Sequence, residues 1–252
     1  MTIIDRLRKA GCVFAEDEAA LLTEEARTPA ELDAMVRRRV DGEPLEVILG
    51  WAAFHGLRIA VEPGVFVPRR RSELLVRHAV TLAGPGAVVL DLCCGTGALG
   101  AAIAAELGEI RLYAADIEPA AARCARTNVA EAGGEVFEGD LYTPLPASLR
   151  GRVDILVVNA PYVPTDAIAM MPPEARDHEP RVALDGGHDG VDVHRRVAAE
   201  ARQWLAPGGH LLIETGESQA ASTAEAMSHN GLIPEVITDD ELYATIVVGA
   251  RG

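Results

Sequence analysis

Ala87-Val88-Val89-Leu90-Asp91-Leu92-Cys93-Cys94-Gly95-Thr96-Gly97-Ala98-Leu99-Gly100 runs from an apolar strand through a glycine loop into an alanine-rich helix that continues to Leu107. Glycines at such a junction let the backbone approach a ligand closely, and the helix N-terminus offers unpaired N–H groups. Gly95, Gly97 and Gly100 satisfy G-x-G-x-x-G, a pattern that a bland tight turn also fits. Downstream, strands at 111–115, 136–137, 153–158, 210–214, 236–237 and 244–248 alternate with helices at 119–130, up to 205, and 219–227. Alternating β and α with apolar strand runs predicts an α/β, Rossmann-like fold, a seven-stranded mostly parallel sheet covered on both faces. No helix separates the last two strands, so the closing strand is expected to be antiparallel.

Upstream the pattern differs. Ile3, Ile4 and Leu7 repeat at helical spacing, as do Ala20, Leu21 and Ala26; Thr28-Pro29 starts a helix with Leu32, Met35 and Val36 on one face. Extended runs at 51–54 and 57–61 around His55-Gly56 read as a β-hairpin. Residues 1–70 are therefore expected to form a small helical cap with a hairpin, and 71–252 the larger domain. Ser72 reads as the cap of a helix carrying Leu74, Leu75, Ala79 and Leu82, and 161–189 as a long polar stretch.

With 49% hydrophobic residues in 252, the chain can bury a sizeable core, which excludes a disordered or disulfide-scaffold protein. The net charge of −15, with Lys9 the only lysine, argues against stable nucleic-acid binding, which needs cations to displace counterions. Cys12, Cys93, Cys94 and Cys124 fit no zinc-ligand or disulfide spacing, and no metal site is expected. No apolar run reaches the ~18 residues of a membrane span. A cytoplasmic monomer without membrane contact is the expectation. His188 and His194 read as solvated surface residues, and Arg37-Arg38-Arg39 and Arg69-Arg70-Arg71 as solvated basic runs in the cap, with contact to an acidic partner or RNA as the alternative.

Three acids occupy successive strand ends. Asp116 stands where a carboxylate accepts hydrogen bonds from both hydroxyls of a ribose, and Asp140-Leu141 where an acid and an apolar side chain flank an adenine. NAD and S-adenosylmethionine both satisfy these features. Asp91 discriminates: an acid at the strand end repels a pyrophosphate and suits a cationic sulfonium amino acid. S-adenosylmethionine is the expected cofactor.

The strand 153–158 runs into Asn159-Ala160-Pro161-Tyr162. A side-chain carbonyl, a following backbone carbonyl and a flat ring suit a planar NH₂ group held with its nitrogen toward a methyl donor. The same residue types also make a plain turn. This stretch resembles the N-P-P-Y motif of amino-group methyltransferases, and the wider chain resembles the protein-(glutamine-N5) methyltransferases that modify peptide chain release factors. Gly42-Glu43-Pro44, Gly50, Phe54, Pro68-Arg69 and Ser72-Glu73 match that family's junction; Glu179-Pro180-Arg181, Ala183-Leu184-Asp185-Gly186-Gly187 and Asp189-Gly190 match its stretch after the motif. The resemblance implies that Cys93, Cys94, Gly95, Thr96, Gly97, Asp116, Leu141 and Asn159 contact the donor. It implies that Asn159 to Tyr162 contact the glutamine of a protein substrate, with Asn159 and Tyr162 catalytic. Three features depart from the family: Ala160 replaces the motif's first proline, Arg70 a junction proline, and the N-terminal helical region is short. Methylation of a nucleic-acid base or a small amine, and a non-catalytic nucleoside-binding module, are the alternatives.

Overall fold

A computed structural model describes residues 1–252, the side chain of Pro173 excepted. At the N-terminus, α1 (Ile3–Lys9), α2 (Ala15–Glu25) and α3 (Pro29–Val40) pack around Leu7, Leu22, Met35 and Val36. Thr28 starts α3 as expected, its hydroxyl accepting from the Glu31 N–H at 3.1 Å with Pro29 in the first turn. The buried stripe of α2 is Ala15, Ala19 and Leu22 rather than Ala20 and Leu21, because α2 begins at Ala15 and these positions share its inner face. A short α4 (Leu45–Leu49), which the sequence reading passed over, ends at Gly50, whose φ of +78° reverses the chain into the hairpin. The hairpin is β1 (Trp51–Phe54) and β2 (Leu57–Ala60), paired Trp51 to Ala60.

The remaining chain runs α5 (Glu73–Leu82), β3 (Val88–Leu92), α6 (Ala98–Leu107), β4 (Arg111–Asp116), α7 (Pro119–Asn128), β5 (Glu135–Glu138) and β6 (Val153–Val158). After α8 (Pro173–His178), a short helix inside the expected polar stretch, come α9 (Asp192–Trp204), β7 (Leu205–Thr215), α10 (Ala220–His229), β8 (Ile233–Asp239) and β9 (Ala244–Ala250). The seven strands order as β5-β4-β3-β6-β7-β9-β8. β9 is antiparallel to β7 and β8, and the other pairs are parallel. No helix among the described residues is long and apolar enough to cross a membrane.

Period-two alternation divides the core into two layers. Leu90, Leu92, Leu156 and Val158 join Trp204 of α9 and Met227 of α10 on one face. Val89, Ile155, Val157 and Leu212 join Leu75 of α5 and Ile103 of α6 on the other. Each such side chain contributes about 1.5–3 kcal/mol on burial, against about 0–1 kcal/mol for an exposed ion pair, so these layers hold the sheet. The strand order reverses between β3 and β6, and an open α/β sheet binds its ligands outside the carboxyl ends at such a point.

Candidate active site

The loop after β3 is held in an unusual shape. Gly95 and Gly97 have φ of +53° and +77°, and so does a non-glycine residue, Cys93, at +55°. A left-handed side-chain residue stores about 1–3 kcal/mol and persists only where its surroundings fix it. Here the Cys94 N–H donates to the Ala115 carbonyl at 3.1 Å and the Gly97 N–H to the Cys94 carbonyl at 2.7 Å. Gly97 sits tightly at a left-handed φ, since an added Cβ would lie 3.1 Å from Ala125 of α7 and would need that helix to give way. Asp116, at the end of β4, accepts the Gly95 N–H at 2.8 Å and the Glu118 N–H at 2.9 Å. Burial raises its pKa, and among the described residues no cation pairs with it. Each carboxylate oxygen keeps a lone pair, so a ligand that donates hydroxyl hydrogens is what this acid lacks. The donor set therefore fits the ribose of S-adenosylmethionine.

Asp140 and Leu141 follow β5. Asp140 accepts from Arg196 of α9 at 2.6 Å, and Leu141 is a second left-handed side-chain residue, with φ of +48°. Both line a cavity of about 880 Å³ at the switch point, together with Cys93, Cys94, Gly95, Thr96 and Asp116. Asn159, Ala160, Pro161 and Tyr162 line the same cavity from the end of β6. Asp91 and Gly97 do not reach its wall. Asp91 is wholly buried on the α6 face of β3, accepts the Gly100 N–H at 3.0 Å, and has its pKa pushed up to about 7 by burial. Its contact ties loop to helix.

Around the acceptor side of the cavity the structure assembles groups that sequence reading did not join. The Asn159 Nδ2 donates to Ser72 Oγ at 3.1 Å. Ser72 does not cap α5: a 3₁₀ turn over Arg70–Ser72 precedes that helix, so Ser72 is already helical in φ and ψ and its hydroxyl is free for Asn159. The Tyr162 hydroxyl donates to Glu214 Oε1 at 3.0 Å, and burial followed by the Glu214 charge raises the tyrosine pKa. Arg71 donates through Nε to the same oxygen at 3.0 Å, so it is not the solvated arginine expected. Arg39, 10% exposed and bonded to Glu18 at 2.7 Å, departs from that expectation in the same way, while Arg69 pairs with Glu179.

Gln219 Nε2 donates to the Tyr162 carbonyl at 2.7 Å. The loop matching Asp185-Gly186-Gly187 closes on the motif from the other side: the Val163 N–H donates to the Leu184 carbonyl and the Gly186 N–H to the Val163 carbonyl. An added Cβ on Gly186 would lie 2.7 Å from the Tyr162 Cα. His188 is exposed as expected, but His194 is fully buried, bonded to Thr223 at 2.9 Å, with its ring centroid 6.5 Å from that of Tyr162. Position 194 falls on the buried stripe of α9 with Val197, Ala198 and Ala201, a spacing that marks it as inward-facing. Burial depresses the His194 pKa to about 4, so the ring is neutral at ordinary pH. Among the described residues no group of three or more His, Cys, Asp or Glu is placed to hold a metal ion.

Comparison with known proteins agrees with this architecture. The methyltransferase small domain family matches residues 56–171. Over 228 residues the chain is 38% identical to a release factor glutamine methyltransferase of Geobacter sulfurreducens, covering 88% of this chain and 79% of that one. It is also 38% identical over 194 residues to a 4-amino-L-phenylalanine/4-methylamino-L-phenylalanine methyltransferase of Streptomyces pristinaespiralis, covering 74% and 66%. A solved methyltransferase from Pyrococcus furiosus superposes with a TM-score of 0.59 at 17% identity, covering 86% and 97%, a likeness of fold. The chain belongs to the release factor glutamine methyltransferase family and is an S-adenosylmethionine-dependent methyltransferase.

Proposed function

We propose that the protein methylates the side-chain amide nitrogen of a glutamine in a protein substrate, a peptide chain release factor. The observation that carries this reading is the commitment of the Asn159 Nδ2 to Ser72, which leaves the Asn159 carbonyl oxygen as the acceptor available in the cavity. That oxygen and the Ala160 carbonyl would take the two hydrogens of a primary amide, and the Tyr162 ring would limit its motion. An amide nitrogen is a poor nucleophile because its lone pair is delocalised, and hydrogen bonds accepted from its N–H groups return electron density to it. When bound, S-adenosylmethionine supplies a methyl group on a sulfonium. Cys93 to Gly95, Asp116, Asp140 and Leu141 would hold it, with Asp116 on the ribose.

Orientation supplies most of the acceleration in this scheme, an effect worth about 7–11 kcal/mol in favourable cases. The nitrogen exchanges one hydrogen for the methyl group, and the released proton passes to water. We also propose that residues 1–70 serve as a substrate-facing cap on a catalytic domain of 71–252, and that the enzyme works as a cytoplasmic monomer without stable nucleic-acid contact.

One observation favours a second reading, N-methylation of a small aromatic amine. The relative named for 4-amino-L-phenylalanine has the same 38% identity as the release-factor relative from Geobacter, over 194 residues against 228. Incubating the enzyme and labelled S-adenosylmethionine with a purified release factor, 4-amino-L-phenylalanine and a DNA duplex in parallel separates the readings. Label on the release factor supports the first, label on the free amine replaces it with the second, and label on DNA removes both.

A further inference from the structure

The single turn Arg70–Ser72 touches both ends of the Asn159–Tyr162 motif. Ser72 is 2% exposed and its Oγ receives the Asn159 Nδ2 at 3.1 Å. Its neighbour Arg71 donates to Glu214 Oε1, which also receives the Tyr162 hydroxyl, both at 3.0 Å. The Arg71 guanidinium carbon stands 5.9 Å from the centroid of the Tyr162 ring. Three sequence-distant segments, the turn, the end of β6 and the end of β7, thus meet at two adjacent residues. We propose that this turn is a clasp that positions the acceptor motif, Ser72 holding the Asn159 amide by its Nδ2 end with Oδ1 left to the cavity, and Arg71, through Glu214, setting the Tyr162 ring.

The physical need for the first grip lies in the amide itself. A carboxamide has nearly the same shape whichever way it is turned, yet one face donates and the other accepts. With Nδ2 toward the substrate, a donor would face the hydrogens of the substrate nitrogen and the nitrogen could not be held. Ser72 Oγ accepts from Nδ2 at 3.1 Å and keeps that end of the amide on its own side. A hydroxyl can also donate, so the grip fixes the place of the side chain, and the substrate's two hydrogens, which only Oδ1 can accept, complete the choice of face. The second grip fixes the ring laterally, since Arg71 and the Tyr162 hydroxyl meet on one oxygen of the buried Glu214 carboxylate. Neither residue touches the reacting atoms in this scheme, so both are positioning residues. A misplacement of about 1 Å at a reacting centre can cost about 10²-fold in rate.

The inference rests on the reading of Asn159 as the residue that holds the acceptor nitrogen, and its test has an arm that needs no substrate. In ¹⁵N-labelled enzyme, the Asn159 side-chain amide signals, identified by their loss in Asn159→Asp, should lose hydrogen-exchange protection in Ser72→Ala and keep it in Ser72→Thr. With S-adenosylmethionine and a purified release factor, Ser72→Ala should lower kcat on the order of 10²-fold with donor affinity retained, and Ser72→Thr should restore it. Arg71→Lys keeps a cation beside Glu214; it should lower kcat in the parent enzyme and have little effect in the Tyr162→Phe background. Unchanged Asn159 amide signals in Ser72→Ala, or a parent-like kcat, would overturn the first grip. No loss for Arg71→Lys, or equal losses in both backgrounds, would overturn the second. Failure of the parent enzyme to methylate the release factor would remove the proposed function and leave the amide signals to decide the clasp.

Discussion

Charge and hydrogen-bond direction at single residues separate the two halves of the cavity. Asp116 is an acceptor whose pKa is raised by burial and which no cation neutralises, so it gains by receiving ribose hydroxyls. Asp116→Ala should weaken S-adenosylhomocysteine binding by about 1.5–3 kcal/mol, the worth of hydrogen bonds to a charged group, as read by calorimetry. Asn159 acts on the other half. Asn159→Ala should cost about 10²–10³ in kcat, as does loss of one preorganised polar contact of this kind, while calorimetry finds most of the donor affinity retained. These roles were legible in sequence to different degrees. Asp116 and Asn159 announce themselves because each ends an apolar strand. Ser72 and Glu214 do not, because they lie 87 and 52 residues from the motif residues they bond, and only the topology brings them together.

Elements explain why those residues stay where they are. The glycine loop hangs between β3 and α6, and Asp91 ties the two by accepting the Gly100 N–H. Its folded pKa of about 7 lies above the ordinary carboxylate value, so the folded state prefers the protonated form. The stability from that preference is present at low pH and is lost as pH rises between about 4 and about 7. Asp91→Asn carries no titrating group there, so its melting temperature relative to the parent should climb from about pH 5 to about pH 8. An unchanged difference across that range would mean that the buried carboxyl does not titrate.

On the acceptor side, Gly186 packs so close to the Tyr162 backbone that Gly186→Ala must push the motif aside. It should lower kcat on the order of 10²-fold with donor affinity retained, measurable by pairing methyl-transfer kinetics with calorimetry. Long periodic elements could be read ahead of the structure, including the strand 153–158 and the helix opening at Ala98. The helices α4 and α8 could not, since five and six residues are too few to show a period.

At the scale of the molecule, the cavity is a meeting of three stretches far apart in the chain: residues from 44 to 72, the strand-end loops from 93 to 141, and 159 to 196. The doubly wound order β5-β4-β3-β6-β7 makes that meeting, since it gathers the carboxyl ends at one edge. Sequence reading reached the sheet, its antiparallel closing strand and the two motifs because each is local. It missed the network behind the motif because hydrogen bonds across the sheet leave no local pattern.

In the proposed reaction one cavity brings a methyl donor to an amide nitrogen oriented by Asn159. Its most direct test is mass spectrometry of a release factor treated with the enzyme and S-adenosylmethionine, beside the same reaction with Asn159→Ala. One methyl group is expected on a glutamine side-chain nitrogen with the parent enzyme and almost none with the variant at equal donor occupancy. A methyl group on another atom, or equal methylation by the variant, would contradict it.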